Sequence, residues 1–507
     1  MHRGESEVIA ASLDIAWSQI GNSSGDLDLP DPIAFADIRA DWQNYRKRLL
    51  RQIFEGHTYP SHIEVVDLPK DRLSVRPLVR LDLDHRLTYE SAVMAVAPLI
   101  DHAMPDAVYS YRWLHDYSRV DNPTWSWVAM QRNAREIHQL NPDLLLARTD
   151  VTAFYENIEI DILIDDLESV HAPKWAVETI RNFLNAFNGL GNAWGIPQSY
   201  DASGILANLY LLPLDVELQR AGFTHLRYSD DIYIFGRDWV SLRKQILTLN
   251  KLLRHRHLTL SGPKTKIIEG ADVFDEFEDA DKDAINYYIL LGHPDAVNDV
   301  KVLFNQTVSE TPVRTRDLKF CLTQLKYVRD DYAVNWLLNN MDEVPHIARE
   351  ALSYLEIFQA AIPQIGDAIV DLLGTGGIAI YPYAQQHLLI SMINQQIDGP
   401  YAEDVVWELL LDRNKDSFVR EFAARYIGLF SSRDKTRTLR QIFQEESNPR
   451  VRRALLIACY ESGQCPNRWL DIVAASDPFL SHTARYLKGR PSGIPIPATG
   501  KRYVQIE

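Results

Sequence analysis

Arg227-Tyr228-Ser229-Asp230-Asp231-Ile232-Tyr233-Ile234-Phe235 sets two adjacent carboxylates between two arms of alternating apolar residues. The alternation reads as a tight β-hairpin with the Asp pair at or near its tip. Two neighbouring anions there repel each other and gain nothing from packing. A divalent cation removes that penalty, because carboxylate oxygens are natural ligands for Mg²⁺. Taken alone, the tetrad is more commonly a solvated turn.

A second carboxylate stands upstream. Leu144-Leu-Leu-Ala-Arg-Thr-Asp150-Val151-Thr-Ala-Phe154-Tyr155 is an apolar strand ending in an Asp and followed by an aromatic pair. A two-metal phosphoryl-transfer site needs carboxylates converging from separate strands, with its ions roughly 3.5–4 Å apart. Asp150 with Asp230 and Asp231 suits that geometry, whereas Asp150 alone reads better as a helix N-cap. Between the two lies Gly195-Ile-Pro-Gln198, a turn opening a long helix that runs through Ser203-Gly204 to Leu211. Such a turn suits the presentation of backbone groups and an amide to a ligand. Lys264-Thr265 follows the hairpin, and Pro69-Lys70 with Arg76-Pro77 precedes everything.

In this order and spacing the segments resemble the fingers and palm of a reverse transcriptase, over about residues 65 to 295. The resemblance implies an α+β polymerase domain that adds deoxynucleotides by two-metal catalysis. Two Mg²⁺ ions, or Mn²⁺, are then held by Asp150, Asp230 and the carbonyl of Val151, with Asp231 close by. It further implies that Lys70 and Arg76 clamp the phosphates and that Lys264 lies near them. Tyr155 packs under the sugar and excludes a 2′-hydroxyl, and Gln198 touches the nucleotide sugar. Ser199 and Ser203-Gly204 depart from the family's usual Gly and Ser-Pro, at positions that border the template and the incoming base. About 200 helical residues replace the usual small thumb. A palm with a long helical C-terminal half resembles the bacterial abortive-infection polymerases of the AbiK type. That resemblance implies phage defence, homo-oligomers, and untemplated DNA synthesis that leaves the product attached to a hydroxyl of the protein. A templated polymerase of retron or intron type, and a helical scaffold with an inactive polymerase domain, are the alternatives.

Composition sets the frame. The chain has 507 residues, so more than one domain is expected. Its 46% hydrophobic and 24% charged residues are those of a globular protein, and no apolar run is long enough for a membrane span. Three cysteines and no secretory pattern point to a reducing, cytoplasmic setting. A net charge of −16 argues against a protein that coats duplex nucleic acid. Residues 1–60 read as a mostly helical lead-in broken by a loop from Gly21 to Pro32. Its cations Arg46, Lys47, Arg48 and Arg51 are a solvated face or a phosphate site, and Tyr45 among them is one candidate priming residue. Residues 61–304 read as the fingers and palm, and 305–507 as an all-α domain. Asp416-Ser-Phe-Val419-Arg420 returns 32 residues later as Asn448-Pro-Arg-Val451-Arg452, and loosely as Asp477-Pro-Phe-Leu480. An Asx residue opening a helix, repeated at intervals, predicts HEAT-like helical pairs or an irregular bundle.

Overall fold

Apolar alternation makes strands where the sequence points to them, and in further places where it does not. In the computed structural model, which describes residues 3–20, 24–56, 59–60, 62–270, 272–277, 279–293, 295–491 and 493–496, eight strands occur. They are β1 (Glu64–Pro69), β2 (Val75–Arg80), β3 (Trp113–Leu114), β4 (Arg119–Val120), β5 (Leu145–Asp150), β6 (Thr224–Tyr228), β7 (Asp231–Gly236) and β8 (Lys266–Ile268). The last four form an antiparallel sheet in the order β6-β7-β5-β8. Its register sets Leu146 opposite Phe235, Arg148 opposite Tyr233, and Asp150 opposite Asp231. Directly opposed residues share a face. One face, with Leu146, Leu226, Tyr233, Phe235 and Ile268, is covered by Met130 and Ala134 of helix Pro123–Leu140 and by Val273 and Phe277 of helix Asp272–Phe277. The opposite face packs on helices Asp201–Arg220 and Trp239–Arg254.

The chain divides into two compact units, one of residues 1–24, 48–65 and 78–283, the other of 25–47, 66–77 and 284–507. The lead-in is therefore shared between them, and so is the β1–β2 hairpin, whose tip carries Lys70. In the first unit the long helix Leu83–Ala103 is buried nearly all round. It packs on helices Arg3–Gln19, Lys174–Gly189 and Asp201–Arg220. Tyr89 stacks on Phe183 with ring centres 4.6 Å apart, and its hydroxyl meets Ser203 Oγ at 3.0 Å. Burying such an aromatic contributes about 2–3 kcal/mol. Arg48, one of the lead-in cations, forms a two-pronged pair with Asp84 at 2.6 and 2.9 Å.

The second unit is built of stacked helices. Pro382–Gln395 packs on Ser417–Phe430, this on Pro449–Glu461, and this on Ser481–Lys488. Amphipathic helices, among them Arg433–Glu445, flank the buried row. At the closest crossing a Cβ on Gly428 would lie 2.6 Å from Ala458 Cα, so only glycine lets these backbones approach. Asn448 caps its helix by accepting from the amides of Arg450 and Val451, and Asp477 accepts from Phe479 and Leu480. Asp416 and Asn448 thus stand at helix N-caps, whereas Asp477 ends one helix and holds the turn before the next. The stretch read as a loop contains a short helix, Ser24–Asp28. Downstream of it, Arg453 binds both Asp31 (2.6 Å) and Asp37 (2.7 Å), fastening 25–47 to the helical stack. Tyr45 is buried, its ring 5.0 Å from that of His482. It lies on the core face of its helix, which removes it as a candidate primer.

Candidate active site

Asp150 closes β5, Asp231 opens β7 across from it, and Asp230 occupies the turn before β7. The carboxyl groups of Asp150 and Asp230 lie close enough for the charge of one to bear on the other. Burial, and next the charge of Asp150, push Asp230 up to about 7. Asp231 is also raised, because burial outweighs the attraction of Arg148, whose Nη2 lies 3.7 Å away. Arg148 is pulled in turn towards Glu276 of helix Asp272–Phe277. Thus Asp150 and Asp230 pair closely, while Asp231 leans towards a cation.

The loop after helix Trp239–Arg254 is tied to the end of β5. Ser261 N donates to Asp150 O (2.7 Å) and Thr152 N to Thr259 O (2.9 Å), around a bridge between Val151 and Leu260. In that antiparallel pattern the carbonyl of Val151 turns away from residues 259–261. Thr265 Oγ1 meets Thr149 Oγ1 at 2.7 Å and donates to Ser261 O at 2.7 Å. The loop so fixed delivers Lys264 Nζ to Asp150 Oδ2 at 2.6 Å. The resemblance assigns this lysine to phosphates; here it neutralises the buried carboxylate.

Among the described residues no three side chains of His, Cys, Asp or Glu converge to hold a metal. The donors present are two carboxylates and a backbone carbonyl, all hard oxygens, which suit Mg²⁺ or Mn²⁺ and not a softer ion. The Lys264 ammonium, 2.6 Å from Asp150 Oδ2, answers part of the repulsion that a divalent cation would remove. The set fits the ion.

Tyr155 is half-buried beside this pair, its hydroxyl bonded to those of Ser229 and Tyr111, and burial raises its pKa. The Gly-x-Pro-Gln turn docks on the same stretch: Ile196 N donates to Tyr155 O at 3.0 Å. At Gly195, with φ +72°, a Cβ would stand 2.2 Å from Tyr155 O, so the motif needs glycine there. Gln198 is half-buried in this turn. Lys70 and Arg76 belong to the hairpin tip of the second unit, where Tyr381 donates to Arg72 O at 3.0 Å and Arg72 pairs with Glu343 at 2.7 Å.

Residues 68–303 match the family described as reverse transcriptase (RNA-dependent DNA polymerase). The chain carries a reverse-transcriptase domain. That domain makes the protein a nucleotidyltransferase of the DNA-polymerase class. Comparison with curated proteins gives no match. Among solved structures, apo telomerase from Candida tropicalis is similar at 11% identity and a TM-score of 0.32, over 70% of this chain and 71% of that one.

The reverse-transcriptase domain holds one group the sequence reading passed over. Tyr111, with φ 50°, lays its ring against helix Asp201–Arg220, its carbons 2.4–2.5 Å from where a Cβ on Gly204 would be. Gly204 stands where the family's usual Ser-Pro is altered. A positive φ has no sequence signature at a tyrosine, so only the packing identifies it.

Proposed function

We propose that the chain is a DNA polymerase of reverse-transcriptase type that adds deoxynucleotides without a template, starting from a hydroxyl of the protein itself, in abortive-infection defence against phage. The observation that carries the catalytic part is the Asp150–Asp230 carboxyl pair, with Asp230 pushed up to about 7. Asp150, Asp230 and the Val151 carbonyl would hold Mg²⁺ or Mn²⁺, with Asp231 in reserve. Bound there, divalent cations stabilise the charge of a transferring phosphoryl group and favour the attacking hydroxylate. Lys264 is already beside Asp150 and can shift its ammonium to a triphosphate once a cation takes its place. The Tyr155 ring, pinned by two hydroxyl contacts, forms a rigid wall for selecting a deoxyribose. Gln198 adds an amide near the same sugar, and Lys70 and Arg76 are the proposed phosphate clamps.

Two features support untemplated synthesis. The sheet face that ends in the carboxylates is covered at Leu146, Tyr233 and Phe235 by helices Pro123–Leu140 and Asp272–Phe277. The Tyr111 ring fills the surface at Gly204. The role in defence rests on the abortive-infection resemblance, as do self-priming and assembly into homo-oligomers. The stacked helices 284–507 are read as HEAT-like and as the assembly surface. No described helix is long and apolar enough to cross a membrane.

The test is to incubate nuclease-treated protein with labelled deoxynucleoside triphosphates, Mg²⁺ and no nucleic acid. Label should run with the denatured protein and leave as a peptide-linked chain after proteolysis. Label that enters DNA only with added template and primer, never becoming protein-bound, replaces this reading with that of a templated reverse transcriptase.

A further inference from the structure

Asp230 is reached through a residue in a conformation that L-amino acids disfavour: Ser229 has φ 56°. A non-glycine residue held there is strained and persists where its surroundings over-determine it. Both backbone groups of Ser229 are held. Its N–H donates to Ser110 Oγ at 2.7 Å, and its carbonyl accepts from Arg227 Nη1 at 3.0 Å. The two holders are joined through Asn208, whose Nδ2 donates to Ser110 O (2.6 Å) and whose Oδ1 accepts from Arg227 Nη1 (2.8 Å).

Arg227 is fixed by Asp215, with Nε to Oδ1 at 2.9 Å and Nη2 to Oδ2 at 2.6 Å. Burial alone would raise Asp215, yet the guanidinium holds it below the ordinary value. Ser110 comes from a segment laid parallel to β6: Arg227 N donates to Ala107 O (2.8 Å) and Tyr109 N to Arg227 O (3.0 Å). Ser110, Asn208, Asp215 and Arg227 are each 3% exposed or less. Such residues cannot touch a nucleotide. A buried ion pair is poor value for stability alone, and here the guanidinium also bonds Asn208 and the carbonyl of the strained residue before Asp230.

We propose that Ser110, Asn208 and Arg227 are positioning residues that lock the Ser229 peptide planes so that the Asp230 carboxylate faces Asp150 in a cation-ready pair. The proposal rests on the reading of Asp150 and Asp230 as metal ligands. Losing the Ser110 hydroxyl frees one end of the turn and lets Asp230 turn away from its partner.

Mn²⁺ binding to the full-length protein, followed by electron paramagnetic resonance without nucleotide, tests this independently of turnover. Ser110→Ala should weaken Mn²⁺ binding five- to tenfold and raise the Mn²⁺ needed for half-maximal incorporation by the same factor. Ser110→Cys, nearly isosteric and a weaker acceptor, should shift both less and in the same direction, and decides the matter if the alanine variant does not fold. Ser126→Ala removes a comparable buried hydroxyl contact, to Asp121 at 2.8 Å, that bonds neither Ser229 nor its holders. It should lower the melting temperature and leave Mn²⁺ binding unchanged. Wild-type Mn²⁺ binding in the Ser110 variants, or an equal loss in Ser126→Ala, overturns the proposal. Unchanged Mn²⁺ binding in Asp230→Asn overturns the metal reading beneath it, a separate result.

Discussion

Replacing Asp230 by Asn should stabilise the metal-free protein while removing its response to Mg²⁺. The folded state holds Asp230 at about 7 against an ordinary 3.8. A group raised in this way binds its proton more tightly when folded, so stability is greatest at low pH. It falls as pH rises from the ordinary carboxylate value through about 7, and above that the full penalty is present. Some three units at 1.36 kcal/mol each is about 4 kcal/mol as a ceiling. Asp230 is partly exposed, and solvent screening reduces the figure to roughly 2 kcal/mol. For a unit of this size that is about 4–8 °C in melting temperature. Thermal unfolding at pH 8 in a chelator should therefore show Asp230→Asn melting higher than wild type, with the difference vanishing towards pH 4. Added Mg²⁺ should raise the wild-type transition and leave the variant unmoved. A variant that melts lower than wild type at pH 8 without metal refutes the idea of a strained, cation-seeking pair.

Other perturbations follow from the same contacts. Tyr155→Ala should lower the ratio of kcat/KM for deoxynucleotides over ribonucleotides by about tenfold or more, whereas Tyr155→Phe keeps the wall and the ratio; an unchanged ratio in the alanine variant makes Tyr155 ordinary packing. Lys264→Met removes the cation that competes for Asp150, so Mn²⁺ binding without nucleotide should tighten several-fold while KM for the nucleotide rises. Weaker Mn²⁺ binding in that variant would show that the lysine assists the ion. Cutting the chain after residue 304 strips Arg453 from Asp31 and Asp37. Breaking a buried pair costs about 3–5 kcal/mol, so fragment 1–304 should aggregate, and a soluble, monodisperse fragment contradicts this.

The sheet was legible because its strands are apolar runs, Leu144 to Ala147 and Ile232 to Phe235, largely buried on both faces, and the pairing of β5 with β7 then places Asp150 opposite Asp231. The strands β1 and β2 were not legible. Asp67, Arg76 and Pro77 interrupt their apolar pattern, and pairing with each other, not periodicity, makes them strands. Nor does periodicity reveal that residues 25–47 pack with a helical stack several hundred residues away; that depends on Arg453 meeting Asp31 and Asp37. At the site, the three aspartates, Tyr155 and Lys264 are motif residues. Asn208 lies within the Gly195–Leu211 motif stretch, but its buried amide contacts do not follow from the motif, and Ser110 and Tyr111, which act through a bond to Ser229 and a contact at Gly204, belong to no motif. Arg227 was the one visible hint, a charge in an otherwise apolar arm.

The central claim is that Asp150 and Asp230 form a phosphoryl-transfer centre. Its most direct test is incorporation of labelled deoxynucleotides in Mg²⁺ by wild type and by Asp150→Asn, with circular dichroism confirming that both are folded. Wild type should incorporate label, and the variant should lose at least about a thousandfold in rate, the scale expected when an electrostatic stabiliser of the transition state is removed. A folded Asp150→Asn protein that incorporates nucleotides at the wild-type rate would contradict the account.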